Sequence, residues 1–259
     1  MKHPALSGLA LTLAAAFAHA GPSEDLTAAA AKVAAAPSYA WTVTMEFANS
    51  QFPAVPVQGV TEKGGCTLTT MTFNGNTRQT VRQGENVVTQ NREGEWMTME
   101  ELRQQFAPNS GGGGAGGATG GGQGGRGAGR GGFGLLGGGG MREPARDAQQ
   151  LAGKLRDLKI ADGAITGDLA AEDAAGLLAF GRGGRGGNQP APGVKNASAT
   201  ARFWLKDGAL AKYAVSVKGT VTTPNGDERE VDLTTTTEFA EVGTAKVAIP
   251  EAARKKLGL

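Results

Sequence analysis

The chain has 259 residues, of which 43 are Gly, two are His and one is Cys. Its 26 basic and 24 acidic side chains leave a net charge of only +2, which argues against a strong electrostatic attraction to nucleic acid or to a membrane surface. A single Cys excludes an internal disulfide. Cys66 is either a buried thiol or a link between two copies, and the buried thiol is favoured because a free Cys usually behaves as a small core residue.

The first 20 residues predict a cleaved secretory signal peptide. Lys2 precedes an apolar run over residues 5–17, and two small residues, Ala18 and Ala20, stand just before Gly21. The apolar run is too short to span a bilayer, which argues against an uncleaved anchor. We therefore expect a mature chain that begins near Gly21 and is periplasmic or secreted.

Cleavage would change the chemistry available to the chain, because both histidines, His3 and His19, lie in the predicted signal peptide. The mature chain would have no His for Ser-His-Asp or Cys-His catalysis, or for a zinc site. No other constellation of residues predicts catalysis. We expect a protein that is not an enzyme and that uses no cofactor and no metal.

Two Gly-rich segments, residues 110–140 and 181–195, interrupt the chain. Gly makes up 20 of the 30 residues from Gly111 to Gly140, and such a segment cannot bury enough apolar surface to offset the entropy of ordering it. Both segments are predicted to be disordered loops. Their arginines resemble RGG segments that contact nucleic acid, but export favours a solvated loop, with contact to acidic envelope polymers or anionic lipid head groups as an alternative. These arginines are Arg126, Arg130, Arg182 and Arg185.

The first structured piece is predicted to open with a helix and to continue as strands. Ser23 is the expected N-cap of an Ala-rich helix that Pro37 stops. From Tyr39 to Phe47, large apolar residues alternate with small and polar ones, which is the period-two pattern of a strand with one apolar face. Turns that contain Gly separate further strands, predicted over 55–63, 66–73, 77–82 and 87–91.

Short helices and long strands are predicted for the rest of the chain. Thr98 and Glu101 have the spacing of a capping box, which predicts a helix to about residue 106. Residues 148–155 have helical apolar spacing, and a hairpin that turns at Asp162-Gly163 follows. Asp168 is expected to cap a helix that ends near residue 180. Strands are then predicted over 200–205, 210–223 and 228–239, followed by a strand over 246–249 that closes the sheet and a helix over 251–257.

About ten strands with few helices predict an α+β protein. The expected architecture is one strongly curved antiparallel sheet, a half-open β-barrel packed against helices, because a twisted sheet of this size has to curl or split. The residues outside the Gly-rich segments are enough for one sizeable core. We expect a single domain over residues 21–259, interrupted by the two loops, and a monomer.

The order of elements in the second half resembles a known family. The segments concerned are Ala164-Ile165-Thr166-Gly167-Asp168-Leu169 leading into a helix, Phe203-Trp204-Leu205-Lys206-Asp207-Gly208, and the end of the chain at Phe239, Val242 and Ile249-Pro250. This pattern resembles the LolA-like superfamily of exported lipid and lipoprotein carriers, and within it the mycobacterial LppX and LprG type of lipid-binding lipoprotein. The resemblance covers residues 26–91 and 158–250. It implies a half-open β-barrel whose concave face holds acyl chains, and it implies no catalytic residues.

The alternating apolar side chains of the strands are the candidate ligand site. On a curled sheet one apolar face lies inside the curve, where it would line a cavity for acyl chains. The alternative is that helices fill the curve and that these residues form an ordinary core. The candidate lining residues are Trp41, Val43, Met45, Phe47, Met71, Phe73, Phe203, Val215 and Val217.

The leading functional hypothesis is an exported protein that binds a hydrophobic ligand such as lipid or an acyl chain, with no nucleic-acid partner. The rival is a cell-envelope structural or regulatory module with a packed interior, which would bind envelope proteins or the membrane surface. An enzyme that uses carboxylates comes third. Glu228, Glu230 and Asp232 share one strand face, but their spacing does not match an EF-hand loop, and a solvated strand face is expected.

Overall fold

The structure is a computed structural model that describes residues 21–48, 54–106, 143–179, 193–222 and 226–259. The predicted signal peptide and the arginines of the Gly-rich segments, Arg126, Arg130, Arg182 and Arg185, lie outside the described residues. The second Gly-rich segment ends earlier than predicted, because a strand already begins at Val194.

Eleven strands and five helices make up the described part of the chain. The strands are β1 Ser38–Phe47, β2 Val57–Glu62, β3 Cys66–Phe73, β4 Asn76–Gln83, β5 Asn86–Gln90, β6 Trp96–Thr98, β7 Arg156–Ala161, β8 Ala164–Asp168, β9 Val194–Lys206, β10 Ala209–Thr222 and β11 Glu228–Ala240. The helices are α1 Pro22–Ala35, α2 Met99–Phe106, α3 Pro144–Ala152, α4 Ala171–Ala179 and α5 Glu251–Leu257.

All eleven strands form one antiparallel sheet in the order β6-β5-β4-β3-β2-β1-β11-β10-β9-β8-β7. Each half is a meander, and the two halves join where β1 pairs with β11, with Trp41 opposite Phe239. The sheet is not closed, and β6 and β7 are its edges in the described part of the chain. The predicted fold class, an α+β protein with one large antiparallel sheet packed against helices, is confirmed.

Most hairpins turn where the sequence places a residue that tolerates a positive φ. Asn74 and Gly75 have φ values of 49° and 77°, and Asp162 and Gly163 have φ values of 52° and 72°. Type I′ turns need this conformation at both central residues, and their twist matches that of the flanking strands. These turns fix the register of β3 with β4 and of β7 with β8.

The strand registers divide the side chains between two faces. The inner face is the one that carries Trp41, Val57, Phe203 and Tyr213, and the outer face carries the residues that alternate with them, such as Leu68. On the inner face, α1 and α3 cover a core that includes Trp41, Phe203 and Tyr213. α4 covers a second inner-face core over β9 and β10.

A third core lies on the outer face of β3 to β6, under the C-terminal helix. Cys66, Val81, Val88 and Trp96 are buried there with Ala253 of α5. The structure thus buries the thiol of Cys66, which is 5% exposed, as the composition favoured. Burial is the main reason that the pKa of this thiol is raised.

Three local predictions are wrong. Ser23 is not the N-cap, because Pro22 already starts α1 after Gly21, in agreement with the preference of Pro for a first helical position. Asp168 is the last residue of β8, and its carboxylate accepts a hydrogen bond from the Thr200 hydroxyl at 2.8 Å instead of capping α4.

The third wrong prediction is the closing strand over residues 246–249. This segment forms no regular secondary structure and joins no strand of the sheet. It crosses the outer face instead, where the Val247 N–H donates to the Glu62 carboxylate at 2.9 Å and the Val247 side chain packs against the core under α5. Val247 and Ile249 are thus partly buried by side-chain packing and not by strand pairing.

Candidate functional site

The strand registers place all nine predicted lining residues on the inner face. Val43 of β1 lies opposite Val57 and Thr237, Val57 lies opposite Met71, and Thr237 leads through Tyr213 to Phe203. Directly opposite residues of an antiparallel pair share a face. The remaining predicted lining residues lie on the same face because side chains alternate between the two faces along each strand.

The structure divides this set into a buried group and an accessible group. The buried group, at 7% exposure or less, is Trp41, Phe203, Val215 and Val217. The accessible group is Val43, Met45, Phe47, Met71 and Phe73, and it is called the apolar strip below. Three members of the apolar strip are half-buried, and Phe47 and Phe73 are 50% and 42% exposed. The strip lies in β1 and β3, whereas the inner-face helices lie mainly against β9 and β10.

The buried group belongs to a densely packed interior. The rings of Phe203 and Tyr213 stack with centroids 5.6 Å apart, and Phe239 lies 5.7 Å from Tyr39 in an edge-on arrangement. The Tyr213 hydroxyl donates to the Pro144 carbonyl of α3 at 3.4 Å. Burial, with a smaller contribution from Glu143, raises the pKa of Tyr39 to about 12. This part of the inner face is occupied by protein.

Beyond the apolar strip, the inner face becomes polar. Arg78 of β4 lies directly opposite Met71, and Arg82 lies opposite Thr67. Between them, Thr80 shares a hydrogen bond of 2.8 Å with Thr89 of β5. The inner face therefore changes from apolar side chains in β1 to hydroxyls and two arginines in β4.

Sequence reasoning missed Arg78 and Arg82. Their signal is the alternation within β4, where Arg78, Thr80 and Arg82 alternate with Gln79 and Val81. Val81 is fully buried on the outer face, and the arginines therefore had to point to the inner face. From the sequence alone, where the outer-face core under α5 is not visible, the alternation in β4 predicts only an ordinary exposed strand.

Two shallow grooves lie away from the apolar strip. One, of about 330 Å³, is open on the outer face, and its walls include Val60, Leu68 and Glu238. The other, of about 290 Å³, lies beside α5 and is lined in part by Val88 and Leu257. Trp41 is the only predicted lining residue that borders either groove.

Carboxylates of β11 pair with lysines of β9 and β10. Lys195 lies 2.7 Å from Glu228 and Lys218 lies 2.9 Å from Asp232. The hydrogen bond from Lys195 to Glu228 raises the pKa of this lysine. No group of three or more His, Cys, Asp and Glu side chains that could hold a metal ion occurs in the described ranges. Glu228 and Asp232 on this strand face thus form surface ion pairs with lysines.

The described residues contain no helix that is long and apolar enough to cross a membrane. The fold is an open antiparallel sheet with helices on both faces. On its inner face, the apolar strip lies between a packed core and two arginines.

Comparison with known proteins identifies similar solved structures, and two of them are as follows. Lipoprotein LppX of Mycobacterium tuberculosis is 10% identical, with a TM-score of 0.40, and the match covers 88% of this chain and 98% of LppX. A LolA superfamily protein from Nitrosomonas europaea is 7% identical, with a TM-score of 0.31, and the match covers 87% of this chain and 94% of that protein. No protein-family model and no curated protein matches the chain.

The similar structures thus include LppX and a protein described as a member of the LolA superfamily, the two names that the sequence pattern also resembles. Because both TM-scores are below 0.5, the site is defined by the topology and contacts described above and not by these two similarities.

Proposed function

We propose that this chain binds a hydrophobic ligand, such as a lipid or a lipoprotein acyl chain, on the apolar strip of the inner face, and that it does so without catalysing a reaction. The observation that carries the proposal is the accessibility of the strip. Five apolar side chains on one face of two strands remain exposed or half-buried beside a core whose members, among them Phe203 and Val57, are fully buried.

The physical driving force is the burial of apolar surface. Each methylene that leaves water contributes about 0.8 kcal/mol, so an acyl chain of ten methylenes gains roughly 8 kcal/mol before the cost of immobilising it. Met45 and Met71 suit such a ligand, because the unbranched thioether side chain adapts to irregular apolar shapes. The resemblance to exported lipid and lipoprotein carriers implied the same class of ligand.

The proposal includes a location and a set of partners. An exported, periplasmic or secreted monomer with no nucleic-acid partner and no cofactor is consistent with the signal-peptide pattern and the near-neutral charge. The LolA-like domain would span residues 21–259.

A second candidate function is an envelope structural or regulatory module with a packed interior. The observation that favours it is the complete burial of Phe203 and the near-complete burial of Trp41, Val215 and Val217 under the inner-face helices. A partner protein would then bind the surface of the sheet, and no acyl chain would enter.

Binding of a fluorescent fatty acid separates the two candidates. The test variants are Met45→Arg and Phe47→Arg, which put a charge on the apolar strip. The matched control is Thr44→Arg, on the outer face of the same strand. We expect both test variants to lose probe binding and the control to retain it, with thermal midpoints showing that all three fold. Absence of binding to the unmodified chain, or equal binding by all variants, would favour the packed module.

A further inference from the structure

Arg78 and Arg82 stand out among the basic side chains by their burial and by their position. Both are half-buried, and both lie on the inner face of β4, four residues apart, with Thr80 between them. Arg78 is one interstrand step from Met71 of the apolar strip. The row Val43, Val57, Met71 and Arg78 crosses four adjacent strands, and with strands about 4.8 Å apart it spans roughly 14 Å.

These two arginines have no carboxylate partner in the part of the chain that the structure describes. The ion pairs found there involve other basic residues, among them Lys195, Lys212 and Lys218 on the outer face. Partial burial of a positive charge is unfavourable unless an anion or hydrogen-bond acceptors compensate for it. Among the described residues, six lysines form ion pairs, whereas these two half-buried guanidinium groups, for which a partner would matter more, form none.

The surroundings hold Arg78 in position. Its Nε donates to the Gln90 carbonyl of β5 at 2.6 Å, and the Gln90 side-chain oxygen accepts from the Gln79 N–H at 3.0 Å. With Nε used in this way, the two Nη groups have no hydrogen-bond partner among the described residues and can donate to a ligand. A guanidinium held by one contact offers its remaining donors in the fork geometry that matches carboxylate and phosphate oxygens.

We propose that Arg78 and Arg82 bind the anionic headgroup of an amphipathic ligand whose acyl chain lies along the apolar strip. This inference rests on the proposed function and names its ligand class, a lipid that ends in an oxyanion. Thr67 lies opposite Arg82, and Thr69 lies opposite Thr80. The Thr67 hydroxyl donates to the Thr61 hydroxyl at 3.2 Å, so it is the Thr69 hydroxyl that adds a hydrogen-bond donor beside the headgroup. Met71 marks the boundary between headgroup and chain.

The test compares dissociation constants for three ligands of equal chain length: dodecanoate, dodecyl phosphate and the uncharged dodecanol. We expect the unmodified chain to bind at least one of the two anions more tightly than the alcohol, by about tenfold, the factor that corresponds to one charge-assisted hydrogen-bonded contact. The anion that binds more tightly identifies the headgroup. Inorganic phosphate, which has no acyl chain, should compete only weakly.

Variants locate the effect. Arg78→Gln and Arg82→Gln should each remove most of the preference for the anion and leave dodecanol binding unchanged, whereas Arg202→Gln, at an exposed outer-face position of β9, should leave all three affinities unchanged. Equal affinity of the unmodified chain for the anions and the alcohol would overturn the headgroup site and keep the hydrophobic site. Retention of the anion preference in both test variants would also overturn it. Absence of binding by all three ligands would overturn the headgroup site and the proposed function together.

Discussion

The indole ring of Trp41 occupies the space that a side chain at Gly59 would need. The two residues face each other across β1 and β2, and a Cβ at position 59 would overlap the six-membered ring. The ring is held there by its Nε1, which donates to the buried Thr61 hydroxyl at 3.0 Å. Trp41 thus lies at the edge of the packed core, next to the polar part of the inner face.

Gly59→Ala is therefore expected to destabilise the chain. The new methyl group would displace the Trp41 ring and its hydrogen bond, and overpacking of this kind costs about 1–3 kcal/mol. The control is Gly176→Ala in α4, where a Cβ meets no atom within 4 Å and where Ala should stabilise the helix by about 1 kcal/mol. Urea unfolding monitored by Trp fluorescence measures both changes. An unchanged midpoint for Gly59→Ala would contradict the described packing.

Truncation of two phenylalanines on the same face should lower the stability of the fold by very different amounts. Phe203 is fully buried, so Phe203→Ala should lower the free energy of unfolding by about 3–5 kcal/mol. Phe47 is 50% exposed, so Phe47→Ala should lower it by less than about 1 kcal/mol while weakening binding of a fatty-acid probe. Chemical denaturation of both variants measures the loss of stability, and titration with the probe measures the loss of binding. Together they distinguish a core residue from a residue of the binding site. If Phe47→Ala unfolds the chain as readily as Phe203→Ala, the apolar strip is part of the core.

Acid should loosen the contact between α2 and α5. Lys256, and to a lesser extent the Thr98 N–H, lower the pKa of Glu101. Because the carboxyl is more acidic in the folded chain than in the unfolded chain, the stabilisation is present at neutral pH and is lost as the pH falls through the folded pKa. Lys256→Gln should raise the pKa of Glu101 in a carboxyl NMR titration. Lys255→Gln, which removes a pair with Glu251 inside α5, should leave that pKa in place, and a shift of equal size in both variants would refute the assignment.

Cys66 should react slowly with thiol reagents in the folded chain. It is 5% exposed, and burial raises its pKa, with a further contribution from Glu62. Both effects reduce the amount of accessible thiolate near pH 8. Alkylation by iodoacetamide, followed by mass spectrometry, should be slow in buffer and fast in denaturant. Ready formation of a disulfide-linked dimer in buffer would show that this thiol is accessible.

Local patterns predicted much of the fold. The alternation from Tyr39 to Phe47 predicted β1 and its apolar face, and the capping box is present: the Thr98 N–H donates to the Glu101 carboxylate at 2.8 Å, and the Glu101 N–H donates to the Thr98 hydroxyl at 3.2 Å. These features depend only on neighbours in the sequence. The pairing of β1 with β11 joins residues almost 200 positions apart, and no local signal specifies it.

The candidate site was predictable only in part for the same reason. Period-two alternation placed Val43 and Phe203 on the same face, but their exposure depends on where the helices lie, which is a property of the tertiary structure. The segment from Lys246 to Ile249 has the composition of a strand, yet it packs by side chains across the outer face. Only that outer-face core shows why Arg78 and Arg82 point inward.

The most direct test of the central claim is photo-crosslinking with a fatty acid that carries a diazirine on its acyl chain, followed by peptide mass spectrometry. We expect adducts on peptides of β1 and β3 that contain Met45, Phe47 and Met71, and we expect an excess of unlabelled fatty acid to prevent them. Adducts confined to the outer-face groove around Val60 and Leu68, or no adduct that competitor removes, would contradict ligand binding on the apolar strip.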